Sequence, residues 1–118
     1  KQLLALMQAY IQFAVQNPDS YRVMYNVSQP DSAQYTELEA EILRSAEPMR
    51  QVVHTLVETN NLYGEPSNIF HILWAGLHGL ISLHLADLIG NTQNFEELAK
   101  VMIDALIRSV STATKQTA

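Results

Sequence analysis

The 118-residue sequence contains no cysteine. A disulfide framework and a zinc site built from thiolates are therefore excluded. The absence of cysteine is compatible with an intracellular protein, and our prediction is a cytoplasmic one. Charged residues are also scarce, at 16%, and the balance of seven Lys and Arg against 12 Asp and Glu gives a net charge of -5. Because binding to nucleic acid needs clustered cations that neutralise phosphates, we expect no direct contact between these residues and DNA.

The sequence lacks the alternating apolar pattern of a β-strand. Between breaks at Pro18, Pro30, Pro66 and Gly90, apolar residues recur every three or four positions, which is the period of a helix. Pro48 lies inside the longest segment and predicts a kink, because proline cannot donate a backbone hydrogen bond. We therefore predict one all-α domain over residues 1–118, a five-helix orthogonal bundle. The predicted helices span residues 1–16, 18–27, 31–61 (kinked), 66–89 and 94–113.

Two asparagines stand where a helix is expected to begin. Asn17 precedes Pro18, which is well tolerated at a first helical position because its missing N–H has no partner there in any case. Asn94 is followed three residues later by Glu97, the spacing of a capping box. The sequence thus predicts helix starts directly after Asn17 and Asn94.

The most apolar stretch, residues 69–89, is long enough to cross a bilayer and carries one formal charge, Asp87. Three histidines, His71, His78 and His84, lie inside it, and the flanks have neither basic residues nor an aromatic belt. These features indicate a buried helix of a globular domain, and we predict no contact with a membrane.

On a helical wheel this stretch is apolar on two opposite sides, and a helix of that kind is buried on all sides. A strip of small residues separates the two sides and would let another helix approach closely. Five helices of this size rarely cover both apolar sides, so we expect the remainder to be buried by a second copy of the chain. The alternative is a monomer in which the loops and the kinked third helix cover it. One side holds Trp74, Leu77, His78, Ile81, Leu85 and Leu88, the other holds Ile69, Ile72, Leu73, Leu80 and Leu83, and the strip holds Ala75, Gly79, Ser82 and Ala86.

The last helix has a similar excess of apolar residues beside its main stripe. Two such helices from each chain, paired across a two-fold axis, would form an intermolecular four-helix bundle. This predicts a homodimer in which the last two helices make the contact. The predicted interface residues are Ala75, Gly79, Ser82, Leu83, Ala86, Val101, Ile103 and Ile107.

Two motifs resemble those of a known family. The stretch "YIQFAVQNPDSYRVMYNV", residues 10–27, resembles the "Y..FA..NP..YR.M" signature in the C-terminal domain of TetR-type transcriptional regulators. The stretch "WAGLHGLISLHL", residues 74–85, resembles the tryptophan–His–Gly segment of one branch of that domain. The resemblance implies a homodimeric repressor whose C-terminal domain binds a small effector. It also implies an N-terminal helix-turn-helix that binds the operator, and no pattern of that kind is present in these residues.

A pocket for an effector is expected inside the bundle, lined by apolar and aromatic groups with a few polar anchors. Tyr10, Tyr25 and His78 have polar tips that must find hydrogen-bond partners in a core, and a ligand could supply one. The simpler interpretation of each such residue is that it only fills the core. The candidate ligand-binding residues are Tyr10, Phe13, Met24, Tyr25, Met49, Val53, Trp74 and His78.

We predict no metal site, no cofactor and no enzymatic activity. His71 and His78 share a helix face, but two turns separate them by about 10 Å, which is too far for one ion. No serine lies in a glycine-flanked elbow, and no glycine-rich phosphate loop is present. The sequence therefore favours a regulatory domain of a TetR-type repressor that binds a small, largely apolar effector. The alternative is a helical dimerisation module without a small-molecule ligand.

Overall fold

The computed structural model describes residues 2–25, 32–90 and 94–112, and these residues are mainly helical. Within these ranges the one β-type pairing is an isolated antiparallel bridge between Leu62 and Ser111. The predicted all-α class with five helices is confirmed. The helices are α1 (Gln2–Gln16), α2 (Pro18–Tyr25), α3 (Ser32–Glu58), α4 (Pro66–Leu85) and α5 (Phe95–Ser109).

Helix α3 is one continuous helix that includes Pro48. The predicted ends at residues 1, 27 and 31 lie outside the described residues, and α5 ends at Ser109, with Val110 as its C-cap, instead of the predicted residue 113. Within the described residues, α3 ends at Glu58 instead of residue 61, because Asn60 has a positive φ of 63°. The amide of Asn60 donates to the carbonyl of Val57, and the amide of Asn61 donates to that of Leu56. This is the Schellman arrangement, in which asparagine is one of the tolerated left-handed residues.

Helix α4 ends in the same way, at Leu85 instead of the predicted residue 89. Asp87 has a φ of 59°, and its amide donates to the carbonyl of His84 at 3.1 Å. The amide of Leu88 donates to the carbonyl of Leu83 at 2.9 Å. Apolar residues continue past this point, so the period alone could not show where the left-handed residue would stop the helix.

The two predicted caps behave differently. The side chain of Asn94 accepts a hydrogen bond from the amide of Glu97 at 3.1 Å, as predicted. Helix α2 begins directly after Asn17, as predicted, and the carbonyl of Asn17 accepts a hydrogen bond from the amide of Tyr21 at 3.0 Å. The side-chain amide of Asn17 donates to the carbonyl of Phe13 at 3.0 Å, near the end of α1. Glu65 caps α4 by accepting from the amide of Asn68, with Pro66 as the first helical residue.

The core is centred on α4, against which α1, α3 and α5 all pack. Its buried residues come from both apolar sides of the predicted wheel, since Leu77 and Ile81 lie on one and Leu73 and Leu80 on the other. Helices α1, α3 and α5 thus cover part of each apolar side. Ile72, Leu83 and Leu88 remain 46%, 48% and 70% exposed, and the burial of this surface by a second chain stays a prediction. The buried residues of α4 are Ile69, Phe70, Leu73, Leu77, Leu80 and Ile81.

The two glycines in the middle of α4 have different surroundings. A β-carbon on Gly76 would lie 2.7 Å from both terminal methyl groups of Leu106, so this glycine allows α5 to approach closely. A β-carbon on Gly79 would meet nothing within 4 Å. Glycine costs about 1 kcal/mol relative to alanine in a helix interior. Packing within the chain offsets that cost at Gly76 but not at Gly79.

The exposed face of α4 is the strip of small residues together with two larger apolar neighbours. Ala75, Gly79, Ser82 and Ala86 are all exposed. Ile72 and Leu83, which flank the strip, are 46% and 48% exposed. Of the helices in the described ranges, none combines the length and the apolarity that crossing a bilayer requires.

Candidate functional site

A hydrogen-bonded aromatic cluster joins α1, α2 and α4. Its centre is the Tyr10 hydroxyl of α1, which accepts a hydrogen bond from Trp74 Nε1 of α4 at 3.0 Å. The same hydroxyl donates to the Tyr25 hydroxyl at 3.0 Å and is hydrogen-bonded to the Tyr21 hydroxyl at 3.0 Å. Four side chains from three helices therefore meet at one oxygen atom. Buried polar groups need partners of this kind, and here they supply one another.

His78 extends the cluster along α4. Its Nδ1 lies 2.6 Å from the Tyr21 hydroxyl, and its Nε2 lies 3.4 Å from Ser82 Oγ, one turn further along the helix. The imidazole packs against the ring of Tyr25, with 4.7 Å between ring centroids, and against that of Tyr21 at 5.6 Å. The ring of His78 is therefore held in place by contacts with two tyrosines of α2.

Burial changes the ionisation of these groups. It raises the pKa of the Tyr10, Tyr21 and Tyr25 hydroxyls well above the ordinary tyrosine value, so all three keep their protons at neutral pH. Burial lowers the pKa of the His78 imidazole below 6.5, because the charged form is poorly solvated there. At neutral pH the cluster is therefore uncharged.

A cavity of about 240 Å³ lies beside the cluster, between α2 and the C-terminal half of α4, and it opens to solvent. Arg22 borders it, and its guanidinium donates to the backbone carbonyl of Leu85 at 2.9 Å, near the end of α4. The same guanidinium lies 3.4 Å from the carboxylate of Asp19. The lining residues are Tyr21, Arg22, Tyr25, His78, Ser82, Leu85 and Ala86.

The structure brings four of the eight candidate ligand-binding residues together: Tyr10, Tyr25, Trp74 and His78. The other four are placed differently. Met49 and Val53 of α3 are buried in the core, Met24 is half-buried, and Phe13 is 44% exposed. Phe13 therefore does not face the interior of the bundle, which corrects the prediction for that residue.

Two residues of the site were missed in the sequence. Tyr21 is 3% exposed and links Tyr10 to His78, and Arg22 borders the cavity. A signal for Tyr21 was present, because it lies four residues before Tyr25 and so on the same helix face. Tyr21 and Arg22 also occupy the "YR" positions of the signature quoted above, but the contact of Arg22 with Leu85 spans 63 residues of sequence and could not be read from it.

A second and larger concave surface, of about 430 Å³, is an open groove between α1 and α5. Amide side chains of α1, such as Gln8 and Gln12, form part of its wall, and Phe95 and Lys100 of α5 form the opposite one. None of the eight candidate residues lines it. The smaller cavity has the aromatic walls and converging polar atoms that are typical of a ligand site.

Seven of the eight predicted interface residues have some exposed surface. Those on α4 are exposed, Val101 of α5 is 58% exposed, and Ile107 is half-buried. Ile103 is 4% exposed and belongs to the core of the single chain, so it lacks the surface that contact with a second chain needs. Its place in the predicted interface is therefore corrected. In the described part of the chain, no three histidine or acidic side chains come together as a metal site requires.

Removing the Tyr10 hydroxyl should destabilise the fold more than removing that of Tyr25. Tyr10→Phe leaves the Trp74 N–H and two tyrosine hydroxyls without this partner, and we expect a loss of about 1–3 kcal/mol in the free energy of unfolding. Tyr25→Phe removes one acceptor, with an expected loss of about 0.5–1.5 kcal/mol. Urea denaturation at one chain concentration measures both. Equal losses would contradict the central position of Tyr10.

Stability should fall on mild acidification because of His78. Its pKa is lower in the folded protein than in the unfolded chain, so below pH 6.5 the unfolded chain binds more protons. The free energy of unfolding then decreases as the pH falls toward the folded pKa, and this group adds no slope above that range. Urea denaturation at several pH values between about 7.5 and 5 measures this dependence. The free energy of unfolding of His78→Asn should change less steeply with pH than that of the wild type. An unchanged slope would show that His78 does not cause the effect.

Comparison with known proteins identifies the family. The family model described as tetracyclin repressor-like, C-terminal domain, matches residues 3–106, from α1 into α5. No curated protein and no solved structure matches the chain. The assignment to the tryptophan–His–Gly branch stays a prediction. The motifs at residues 10–27 and 74–85 thus led to the right family, and the chain belongs to the tetracyclin repressor-like C-terminal domain family.

Proposed function

We propose that this chain is the regulatory domain of a transcriptional repressor, and that it binds a small, largely apolar effector and forms a homodimer. Operator binding would belong to a helix-turn-helix domain outside these 118 residues. The observation that carries the proposal is the cavity between α2 and α4, whose wall includes members of a hydrogen-bonded aromatic cluster.

The chemistry of the cavity supports a small-molecule ligand. Aromatic rings of Tyr21 and Tyr25 and the side chain of Leu85 offer apolar contact. The His78 imidazole and the Ser82 hydroxyl offer hydrogen bonds that would orient the ligand. A few convergent polar groups in an apolar wall are the usual composition of a binding site.

The cluster offers a way for the effector to act at a distance. Tyr21 and Tyr25 of α2 and His78 of α4 line the cavity, and both tyrosines are hydrogen-bonded to Tyr10 of α1. A ligand that separates α2 from α4 would alter the hydrogen bonds of α1, which would connect to the DNA-binding domain in a longer protein. The ligand shifts the conformational equilibrium only by the difference between its affinities for the two states.

The homodimer would use the exposed strip of α4 and the adjacent face of α5. Gly79 supports this, because its missing side chain has no function in the packing of one chain. A partner helix seated against Ala75, Gly79 and Ser82 could approach closely and also cover Ile72 and Leu83. The alternative function, a dimerisation module without a ligand, uses the same strip but leaves the cavity empty.

A panel of hydrophobic compounds tests the effector hypothesis by thermal unfolding. A ligand at a hundred times its dissociation constant adds about 2.7 kcal/mol to the stability of the folded state, so binders should raise the melting temperature. Leu85→Trp places a large side chain in the cavity, so the compounds should no longer raise the melting temperature of this variant. Gln12→Trp, in the α1–α5 groove, is the matched control, and the compounds should still raise its melting temperature.

If the compounds still raise the melting temperature of Leu85→Trp but not that of Gln12→Trp, the effector binds in the α1–α5 groove. If no compound raises the melting temperature of the folded wild type, the module without a ligand is the better description.

Sedimentation velocity tests the proposed dimer. Gly79→Leu places a large side chain on the strip, and overpacking of about 1–3 kcal/mol should raise the dimer dissociation constant by about 5-fold to 150-fold. Ala5→Leu, on the exposed face of α1, is the control and should leave the dimer unchanged. A wild-type protein that sediments as one chain at micromolar concentration would contradict the dimer.

A further inference from the structure

The hydrogen atoms of the aromatic cluster can be assigned one by one, starting at Tyr10. Its hydroxyl has one hydrogen, and that hydrogen is donated to Tyr25. Trp74 Nε1 can act only as a donor, so it takes one lone pair of the Tyr10 oxygen. The hydrogen bond between Tyr10 and Tyr21 must then use the hydrogen of Tyr21.

The positions of these hydrogen atoms determine the tautomer of His78. Because the Tyr21 hydrogen is donated to Tyr10, the 2.6 Å contact between Tyr21 and His78 Nδ1 needs a hydrogen from the imidazole. His78 therefore carries its proton on Nδ1, and Nε2 is the acceptor nitrogen of the ring. Ser82 Oγ is the neighbour of Nε2, at a long 3.4 Å, so this nitrogen can accept a shorter hydrogen bond from a ligand.

Both ends of the cluster lie in the wall of the cavity. The lining residues at the two ends are His78, whose Nε2 is an acceptor, and Tyr25, whose hydroxyl accepts a hydrogen bond from Tyr10. A ligand hydroxyl could therefore donate to Nε2. The ring that carries it could pack against Tyr25 and Leu85, which lie in the same wall.

The volume of the cavity and the charges in its wall limit the classes of molecule that can bind there. A cavity of roughly 150 Å³ holds one benzene ring, so about 240 Å³ has room for a single substituted ring. A carboxylate would point its lone pairs at the lone pair of Nε2. The cation in the wall of the cavity, Arg22, already donates to the carbonyl of Leu85 and lies beside Asp19. Burial also keeps the imidazole of His78 uncharged at neutral pH.

From this geometry we propose that the α2–α4 cavity binds a small, uncharged phenol, whose hydroxyl donates a hydrogen bond to His78 Nε2. The proposal rests on the proposed effector-binding function and specifies the chemical class of the effector. It predicts that the site discriminates between molecules of the same shape by the presence of one hydroxyl hydrogen.

Isothermal titration with three matched compounds tests this class. The wild-type chain should bind p-cresol at least about tenfold more tightly than p-methylanisole, which lacks the hydroxyl hydrogen, because the unpaired acceptor would otherwise lose its water partner. It should also bind p-cresol more tightly than the anion p-toluate. Equal affinities for cresol and anisole, a preference for toluate, or no binding of p-cresol at millimolar concentration would each overturn the phenol assignment.

His78→Asn is the decisive variant, because the Asn amide can still donate to Tyr21 but removes the Nε2 acceptor. In this variant the preference for p-cresol over p-methylanisole should fall to about equal binding. A preference that persists in the variant would overturn the role of Nε2.

The tautomer can be measured without any ligand. The ring-nitrogen shifts of His78 in a long-range proton–nitrogen NMR spectrum should show a proton on Nδ1 at neutral pH. A proton on Nε2 would overturn the inference but leave the effector hypothesis intact. That hypothesis fails only if the broader hydrophobic panel gives no binding.

Discussion

Helix α4 has apolar side chains on opposite sides, and the arrangement of the other helices follows from the need to keep water away from them. Complete burial of a large apolar side chain contributes about 1.5–3 kcal/mol, and α4 has six buried ones. Gly76 removes the side chain that would block Leu106, so that α5 can lie close to α4.

The same helix also carries the polar part of the core. Trp74 and His78 lie one turn apart on α4 and connect to three tyrosines of α1 and α2. A buried hydroxyl or N–H without a partner lowers the stability of the fold. Because each of these groups finds its partner on another helix, the hydrogen bonds fix the positions of the three helices relative to one another. The proposed effector, bound in the cavity beside this cluster, would change hydrogen bonds that connect α2 and α4 to α1.

The proposed ligand site and the proposed dimer contact share part of α4. Ser82 and Ala86 line the cavity and also belong to the exposed strip. If both proposals hold, an effector and a partner chain would contact the same turns of one helix. Each would then change the affinity for the other by the same factor, which is the thermodynamic requirement for coupling between two sites.

The fold class and the position of most helices could be predicted from the sequence, because helical periodicity and capping are local properties. Asn94 and Glu97 are three residues apart, and that spacing alone predicts their contact. The ends of α3 and α4 were less predictable. Asn60 and Asp87 stop these helices through a left-handed backbone conformation that the sequence permits but does not require.

In the candidate site, too, some residues could be predicted from the sequence and others could not. The sequence identified Tyr10, Tyr25, Trp74 and His78 as inward-facing polar and aromatic residues, and the motifs at residues 10–27 and 74–85 identified the family. The packing of α2 against α4 decided that Tyr21 would link two of them and that Arg22 would border a cavity. The packing of the helices as a whole placed Ile103 of α5 inside the core and left Phe13 of α1 exposed. A helical repeat shows which residues share a face, but contacts across 57 or 63 residues of sequence depend on how whole helices are placed.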